Sequence, residues 1–292
     1  MKKPVRVFVA STPAEWLPMK ILEFSIRETT SMPVELSGIY AFNRNIPMPR
    51  DVKNRPRTPF SFQRFLIPEL CDYTGKAIYL DADMQVFSDI RNLWAQDFNK
   101  CDLQTAQEGK GGRRGQFSVM LLDCAALKWD VDQIVKDLDS GKLSYADLMY
   151  DMRVAKTIGR DILPEWNSLE YYEKGKTCLL HYTNMKTQPW VSISSPLAHV
   201  WLTCLQRALD VGFVSRDELK REIDMGHIRP SLLVQVNKPL DNSRVFLRSL
   251  KAIDSDFVPP YRSLQCGKGN PWVSIRSAVK SVLWRIYYRS GI

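Results

Sequence analysis

Short apolar runs alternate with amphipathic stretches along this chain. Val5 to Ala10 (VRVFVA) is rich in β-branched residues and stops at Ser11-Thr12-Pro13, which predicts a buried strand entering a loop. Residues 17–30 carry Met19, Leu22, Phe24 and Ile26 with helix-like periodicity. Val34 to Tyr40 predicts a second strand, and residues 43–57, rich in Asn, Pro and Arg, a polar loop. Residues 60–71 predict a helix with Phe62, Phe65, Leu66 and Leu70 on one side. Lys76 to Leu80 predicts a buried strand that ends abruptly in Asp81-Ala82-Asp83. Strand, helix, strand, helix, strand is the order of a parallel α/β sheet. Phe117 to Leu122 predicts a further strand, residues 125–139 and 144–158 helices, and Thr177 to Leu180 a short strand ending in His181. Residues 197–210 and 216–225 complete the helical expectations.

The last stretch differs in kind. Written as a helix, residues 271–289 put Trp272, Ile275, Val279, Val282, Leu283 and Ile286 on one broad face, with Arg276, Lys280, Arg285 and Arg289 beside or opposite it. That pattern fits a helix lying on an anionic membrane surface, and equally a C-terminal helix docked on the core with snorkelling basic residues. Charge sharpens the division. The chain carries +9 overall, and residues 243–292 hold nine Lys or Arg against two acids, so the tail accounts for +7. The expected organisation is a domain over residues 1–242 and a basic amphipathic appendage over 243–292.

At 45% hydrophobic and 25% charged residues, the 292-residue chain can bury a core without disulfides or metals. The six cysteines show no C-x-x-C spacing, which argues against a zinc site or a disulfide scaffold. The N-terminus has no signal-peptide core, and no apolar run approaches the roughly 18–20 residues that cross a bilayer. A cytoplasmic protein, peripheral on the inner face of the cytoplasmic membrane if the tail binds lipid, is the expectation.

Asp81-Ala82-Asp83 is the strongest chemical signal. In open α/β sheets the ligand crevice lies beyond the carboxyl ends of the strands. Two carboxylates there suit a Mg²⁺ or Mn²⁺ ion that takes its other ligands from phosphates. Alone, the pair is weak evidence, since many strand ends carry acids that cap a helix. Context adds Arg64, on the element leading into the strand, as a partner for phosphates or carboxylates. It also adds His181, a metal-ligand type opening a loop with Lys186, Gln188, Pro189 and Trp190.

Together these segments resemble the family 8 glycosyltransferases. The segments run in order: the Val5–Ala10 strand with Ser11-Thr12, Phe62-Gln63-Arg64, the strand into Asp81-Ala82-Asp83, Gln116 to Asp123, and Ile158-Gly159-Arg160 through Leu163-Pro164-Glu165-Trp166-Asn167 to the His181 loop. The resemblance implies a GT-A, Rossmann-like α/β fold with a mostly parallel sheet flanked by helices. It implies a nucleotide diphosphate sugar donor, most often a UDP-sugar, Mn²⁺ or Mg²⁺ as cofactor, and transfer with retention to a glycan or glycolipid acceptor. On that likeness Asp81, Asp83 and His181 hold the metal. Ala10, Ser11, Thr12 and Ala82 line the nucleotide, Arg64 and Asn184 lie toward the donor sugar, and Lys186 faces the diphosphate. Gln116 stands where the family usually has an Asn on the donor sugar, and Asp147 is the surviving acid of an Asp-Gln-Asp segment; both are candidate catalytic groups. Asp123 reads either as a spare acid or as a cap on the following helix. Two other readings remain open: a haloacid-dehalogenase-type phosphatase, which also places Asp-x-Asp after a strand, and a non-enzymatic nucleic-acid binder using the basic tail. The thin, late placement of the cations, in no recognisable module, argues against nucleic acid.

Overall fold

The computed structural model describes residues 3–107, 117–238, 241 and 243–262. The chain packs as two compact units, residues 1–183 with 203–214 and residues 184–202 with 215 onward.

The first unit is built on a six-stranded sheet in the order β2-β1-β3-β6-β5-β7. Its strands are β1 (Val5–Ala10), β2 (Val34–Gly38), β3 (Lys76–Asp81), β5 (Leu103–Ala106), β6 (Val119–Asp123) and β7 (Ile158–Ile162). β1 pairs in parallel with β2 and β3, and β5 with β7; β6 alone runs antiparallel between β3 and β5. The expected mostly parallel α/β sheet is therefore present, with one reversed strand.

Side chains alternate across this sheet with period two, and both faces are covered. Val5, Val7 and Val9 of β1, Ile78 and Leu80 of β3, and Val119 and Leu121 of β6 face one core. That core is closed by Met19, Leu22 and Ile26 of α1 (Trp16–Thr29). Phe8, Ala77, Tyr79, Met120 and Leu122 face the other, where Phe62, Phe65 and Trp129 pack with Ile134 and Leu138 of α4 (Val131–Asp139). The run preceding β3 is not one helix. It is a 3-10 turn over Gln63–Leu66 continued by the short α2 (Ile67–Leu70), because Pro68 has no N–H for a regular helix to use.

Two expected helices are shorter than their patterns. Residues 125–139 are helical only from Val131, where Asp130 caps the Asp132 and Gln133 N–H groups. Residues 144–158 give only α5 (Tyr145–Met149) before the chain turns through Met152 at φ 49° into β7. The first strand after β3 was not expected: β4 (Met84–Val86) leaves the main sheet and pairs antiparallel with β9 (Leu179–His181), which pairs in parallel with β8 (Ser168–Leu169). α3 (Arg91–Trp94) follows β4. The backbone N–H of Val86 donates to Ser25 Oγ of α1 at 3.0 Å, which fixes this small sheet against the large one.

The second unit holds the start of α6 (Ala198–Asp210), α7 (Arg216–Asp224), α8 (Leu232–Gln235) and α9 (Arg244–Ile253). Its centre is Arg229, fully buried. Arg229 donates from its backbone to Trp190 O at 3.0 Å and from Nε to Pro189 O at 2.9 Å, and its other nitrogens reach Ser231 and Gln235. Burial lowers its pKa to about 10, with Asp254 pulling the other way. The 271–289 helix expected from sequence lies outside the described residues.

Candidate metal centre and active site

The sheet itself assembles the site. In the β1–β3 register Ala10 stands beside Asp81, so the Ser11-Thr12 turn and the Asp81-Ala82-Asp83 turn leave the sheet side by side. Across the small sheet Met84 pairs with His181, which brings the imidazole alongside Asp83. His181 Nε2 lies 3.1 Å from Asp83 Oδ1 and 3.8 Å from Asp81 Oδ2. Asp81, Asp83 and His181 each offer one ligand atom, all within 4.8 Å of one another.

Further groups hold each of these side chains. The Tyr79 hydroxyl donates to Asp81 Oδ1 at 2.5 Å. Arg64, 8% exposed, sits 3.8 Å from the same oxygen with its guanidinium 4.6 Å from the Tyr79 ring centroid. Arg64 also donates to Ser61 O at 3.1 Å and to Phe117 O at 2.7 Å, which fixes its direction. On the far side of the imidazole, His181 Nδ1 lies 3.2 Å from Asn167 Oδ1, and Asn167 Nδ2 reaches Ser118 Oγ at 3.4 Å. With Nδ1 engaged by a carboxamide oxygen, Nε2 is the nitrogen turned toward the acids.

Electrostatics follow from crowding like charges in a buried place. Burial, with Asp83 adding to it, pushes the Asp81 carboxyl above its usual range, while Arg64 and His181 pull it back. Burial opposes charging of His181, but Asp83 and Asp81 outweigh it and raise its pKa. Glu15 is raised well above the ordinary carboxylate range, by burial first and also by Asp83 and Asp81. A divalent cation relieves this excess of negative charge. Two hard carboxylates and an imidazole, the latter held by a second partner, are a donor set that fits Mn²⁺ or Mg²⁺.

The neighbouring loop is equally fixed. Ser11 N donates to Gln63 Oε1 at 3.0 Å, and Gln63 Nε2 donates back to Ser11 O at 2.8 Å. Thr12 N donates to Glu15 Oε2 at 2.8 Å in a capping box. Ala10, Ser11 and Ala82 are all buried.

Other expected residues are placed differently. Asp147 accepts from Ser144 N at 2.9 Å and Ser144 Oγ at 2.6 Å, and its other oxygen meets Arg153 at 3.0 Å. These contacts give it a capping task at the start of α5, and they hold its carboxyl below the usual range, Ser144 first. Asp123 accepts from the Ala125 and Ala126 N–H groups and so closes a turn; the helix it was expected to cap begins only at Val131, behind Asp130. Gln116 lies outside the described residues. Asn184 and Lys186 belong to the second unit, where Asn184 Oδ1 accepts from Lys186 N at 3.1 Å. Tyr79, Asn167 and Glu15 carried no role in the sequence reading; Tyr79 meets Asp81 two residues on and Glu15 meets Thr12 three residues back, while Asn167 reaches His181 and Ser118 from other segments.

A mostly parallel sheet with this acid pair at the end of β3 defines the GT-A class of glycosyltransferase fold. The comparisons agree. Residues 25–131 match the model of Glycosyl transferase family 8. Protein CDI of Arabidopsis thaliana is 37% identical over 94 residues, which is 32% of this chain and 36% of that protein. The apo glycosyltransferase GlyE of Streptococcus pneumoniae TIGR4 superposes with a TM-score of 0.53 at 17% identity, over 76% of this chain and 64% of GlyE. The WbbM bifunctional glycosyltransferase gives a TM-score of 0.53 at 11% identity, over 73% of this chain and 51% of its own. At these identities the two structures speak to the fold. The phosphatase alternative gives way to the family match. Among the described residues no helix is long and apolar enough to cross a membrane.

Proposed function

We propose that this chain is a metal-dependent hexosyltransferase that uses a nucleotide diphosphate sugar, with UDP the favoured nucleotide, and delivers the sugar with retention to a hydroxyl of a glycan or glycolipid. The observation that carries the reading is the convergence of Asp81, Asp83 and His181 within 4.8 Å at the end of β3. Mn²⁺ or Mg²⁺ bound by these residues supplies charge neutralisation for a diphosphate. Residues 1–242 form the catalytic domain in this reading. Ala10, Ser11, Thr12 and Ala82 border the nucleoside. Arg64 orients Asp81, and the family resemblance assigns Arg64 and Gln116 to the donor sugar and Asn184 to the nucleotide sugar.

The chemistry asks for stabilisation of charge as it develops on the departing phosphate, which accelerates the step more than tight ground-state binding does. Lys186 serves that end against the diphosphate. Retention needs no enzyme nucleophile if the acceptor attacks from the face that the diphosphate leaves, with a phosphate oxygen taking the acceptor proton. Asp147 is not required as a base, which suits a carboxylate already committed to Ser144 and Arg153.

A thermal-shift panel of UDP, GDP, CDP and dTDP, with and without Mn²⁺, tests the reading. One nucleotide should stabilise the protein in a metal-dependent way, and Asp83→Ala should remove that dependence. A shift unchanged in Asp83→Ala would overturn the site.

A further inference from the structure

Two loops that leave neighbouring strands are held by consecutive residues of one turn. β1 and β3 end side by side, Ala10 against Asp81, and each runs on into a loop. Gln63 and Arg64, both buried, open the 3-10 turn Gln63–Leu66. Gln63 reaches the first loop, where its Oε1 accepts from Ser11 N at 3.0 Å and its Nε2 donates to Ser11 O at 2.8 Å. Arg64 reaches the second, 3.8 Å from Asp81 Oδ1. A 3-10 turn sets successive side chains about 120° apart, so neighbours in it address different elements.

The Gln63 contact replaces a strand. Ser11 is fully buried, and a buried peptide group left without a partner is costly. Both ladders of β1 stop short of Ser11, and the Gln63 carboxamide supplies the acceptor and donor that a neighbouring strand would have offered. Thr12 is held locally instead: its N–H donates to Glu15 Oε2 at 2.8 Å and its carbonyl accepts from Glu15 N at 3.0 Å. All four main-chain polar groups of Ser11 and Thr12 are thus engaged by the protein itself. A ligand resting on such a loop does not have to order it first. Only the Ser11 half depends on a distant residue, 52 positions along the chain. The turn that supplies it is itself tethered, since Arg64 donates to Ser61 O at 3.1 Å and to Phe117 O at 2.7 Å.

We propose that Gln63 is a positioning residue for the nucleoside of the donor, and that the Gln63-Arg64 pair fixes the spacing between the nucleoside loop and the metal-binding acids. Gln63 acts through Ser11, as Arg64 acts through Asp81. The inference rests on the reading of Ser11 and Thr12 as the border of the nucleoside, and adds which residue holds that border in place. It divides the labour within one dipeptide: Gln63 governs the nucleoside end of the donor, and Arg64 the diphosphate end.

Calorimetric titration of the full chain in Mn²⁺ reads the two ends apart, with UDP as one probe and inorganic pyrophosphate, which lacks the nucleoside, as the other. Gln63→Met keeps the bulk and removes both hydrogen bonds. It should weaken UDP by about tenfold, the order of one or two hydrogen bonds expressed as affinity, and leave pyrophosphate and Mn²⁺ alone at their wild-type values. Gln63→Glu, which still accepts from Ser11 N but has no N–H for Ser11 O, should fall between the two. Arg64→Lys should weaken UDP and pyrophosphate alike. A residue that only held the fold together would lower the melting temperature and leave the ratio of the two affinities unmoved. UDP affinity at the wild-type value in Gln63→Met, or an equal loss for both probes, overturns the proposal; Gln63→Glu decides by the same ratio if Gln63→Met does not fold. Failure of the transferase reading shows in the wild type instead, as UDP bound no more tightly than pyrophosphate, and that result overturns both.

Discussion

At the scale of single residues, His181 decides how the site responds to protons. Its pKa is raised because Asp83 and Asp81 outweigh its burial, which favours the imidazolium beside these carboxylates in the metal-free protein. The stability from that pairing is fully present below the unfolded value of about 6.5 and is lost as pH rises through the higher folded value. A metal ion needs the neutral ring, so it competes with the proton. Stabilisation by Mn²⁺ should therefore grow from about pH 5.5 to about pH 8, while the metal-free melting temperature gains nothing from this pair over the same range. Asn167→Ala, which strips the partner from Nδ1, should weaken Mn²⁺ by roughly 10–100-fold, and Asn167→Asp should retain binding. Calorimetric Mn²⁺ titrations across pH check both; wild-type affinity in Asn167→Ala would show that the carboxamide does not position the ring.

Between elements, close approach of backbones sets the limits. Gly159 in β7 lies against Gln104 of β5, and a Cβ at that position would fall inside the Gln104 carboxamide. Gln104 has no freedom to yield, since it is fully buried, donates to Phe98 O and Asp161 Oδ2 at 3.0 Å each, and accepts from Asp161 N at 3.1 Å. Gly159→Ala should cost about 1–3 kcal/mol, and adding Gln104→Ala should recover part of it, as read by urea denaturation. An unchanged midpoint for the single variant would show that β7 slides freely. What could be read from sequence follows the same physics. β1, β3 and α1 are long enough for their periodicity to show, and Asp81-Ala82-Asp83 closes one of those strands. β4, β5 and β8 span four residues or fewer, too short for alternation to register. The stretch over residues 144–158 kept a helical pattern past Met149, yet it turns there into β7. Asn167 and Gln63 stand in segments that carry the family resemblance, but their tasks act through partners far along the chain and no local pattern gives them.

For the whole molecule, charge is the property that individual contacts do not reveal. Residues 243–292 hold +7 of the net +9, and α9 in that region exposes Arg244, Arg248 and Lys251. We propose that this basic end, including residues 271–289, touches an anionic membrane peripherally and holds the enzyme near a lipid-linked acceptor. Full-length protein should pellet with phosphatidylserine-containing liposomes at low salt and be released as salt rises, whereas a chain ending at residue 242 should stay in the supernatant. Pelleting of the shortened chain would sink the idea.

The proposed metal ligands are also far apart in sequence, with His181 following Asp83 by about a hundred residues. At a synthesis rate of about 5–20 residues per second, the acid pair emerges roughly 5–20 s before its third ligand. A half-made chain therefore offers an ion two carboxylates and nothing more, and cannot be trapped around it. Capture becomes strong only once β9 has found β4, so occupancy of the centre certifies that the two sheets have closed.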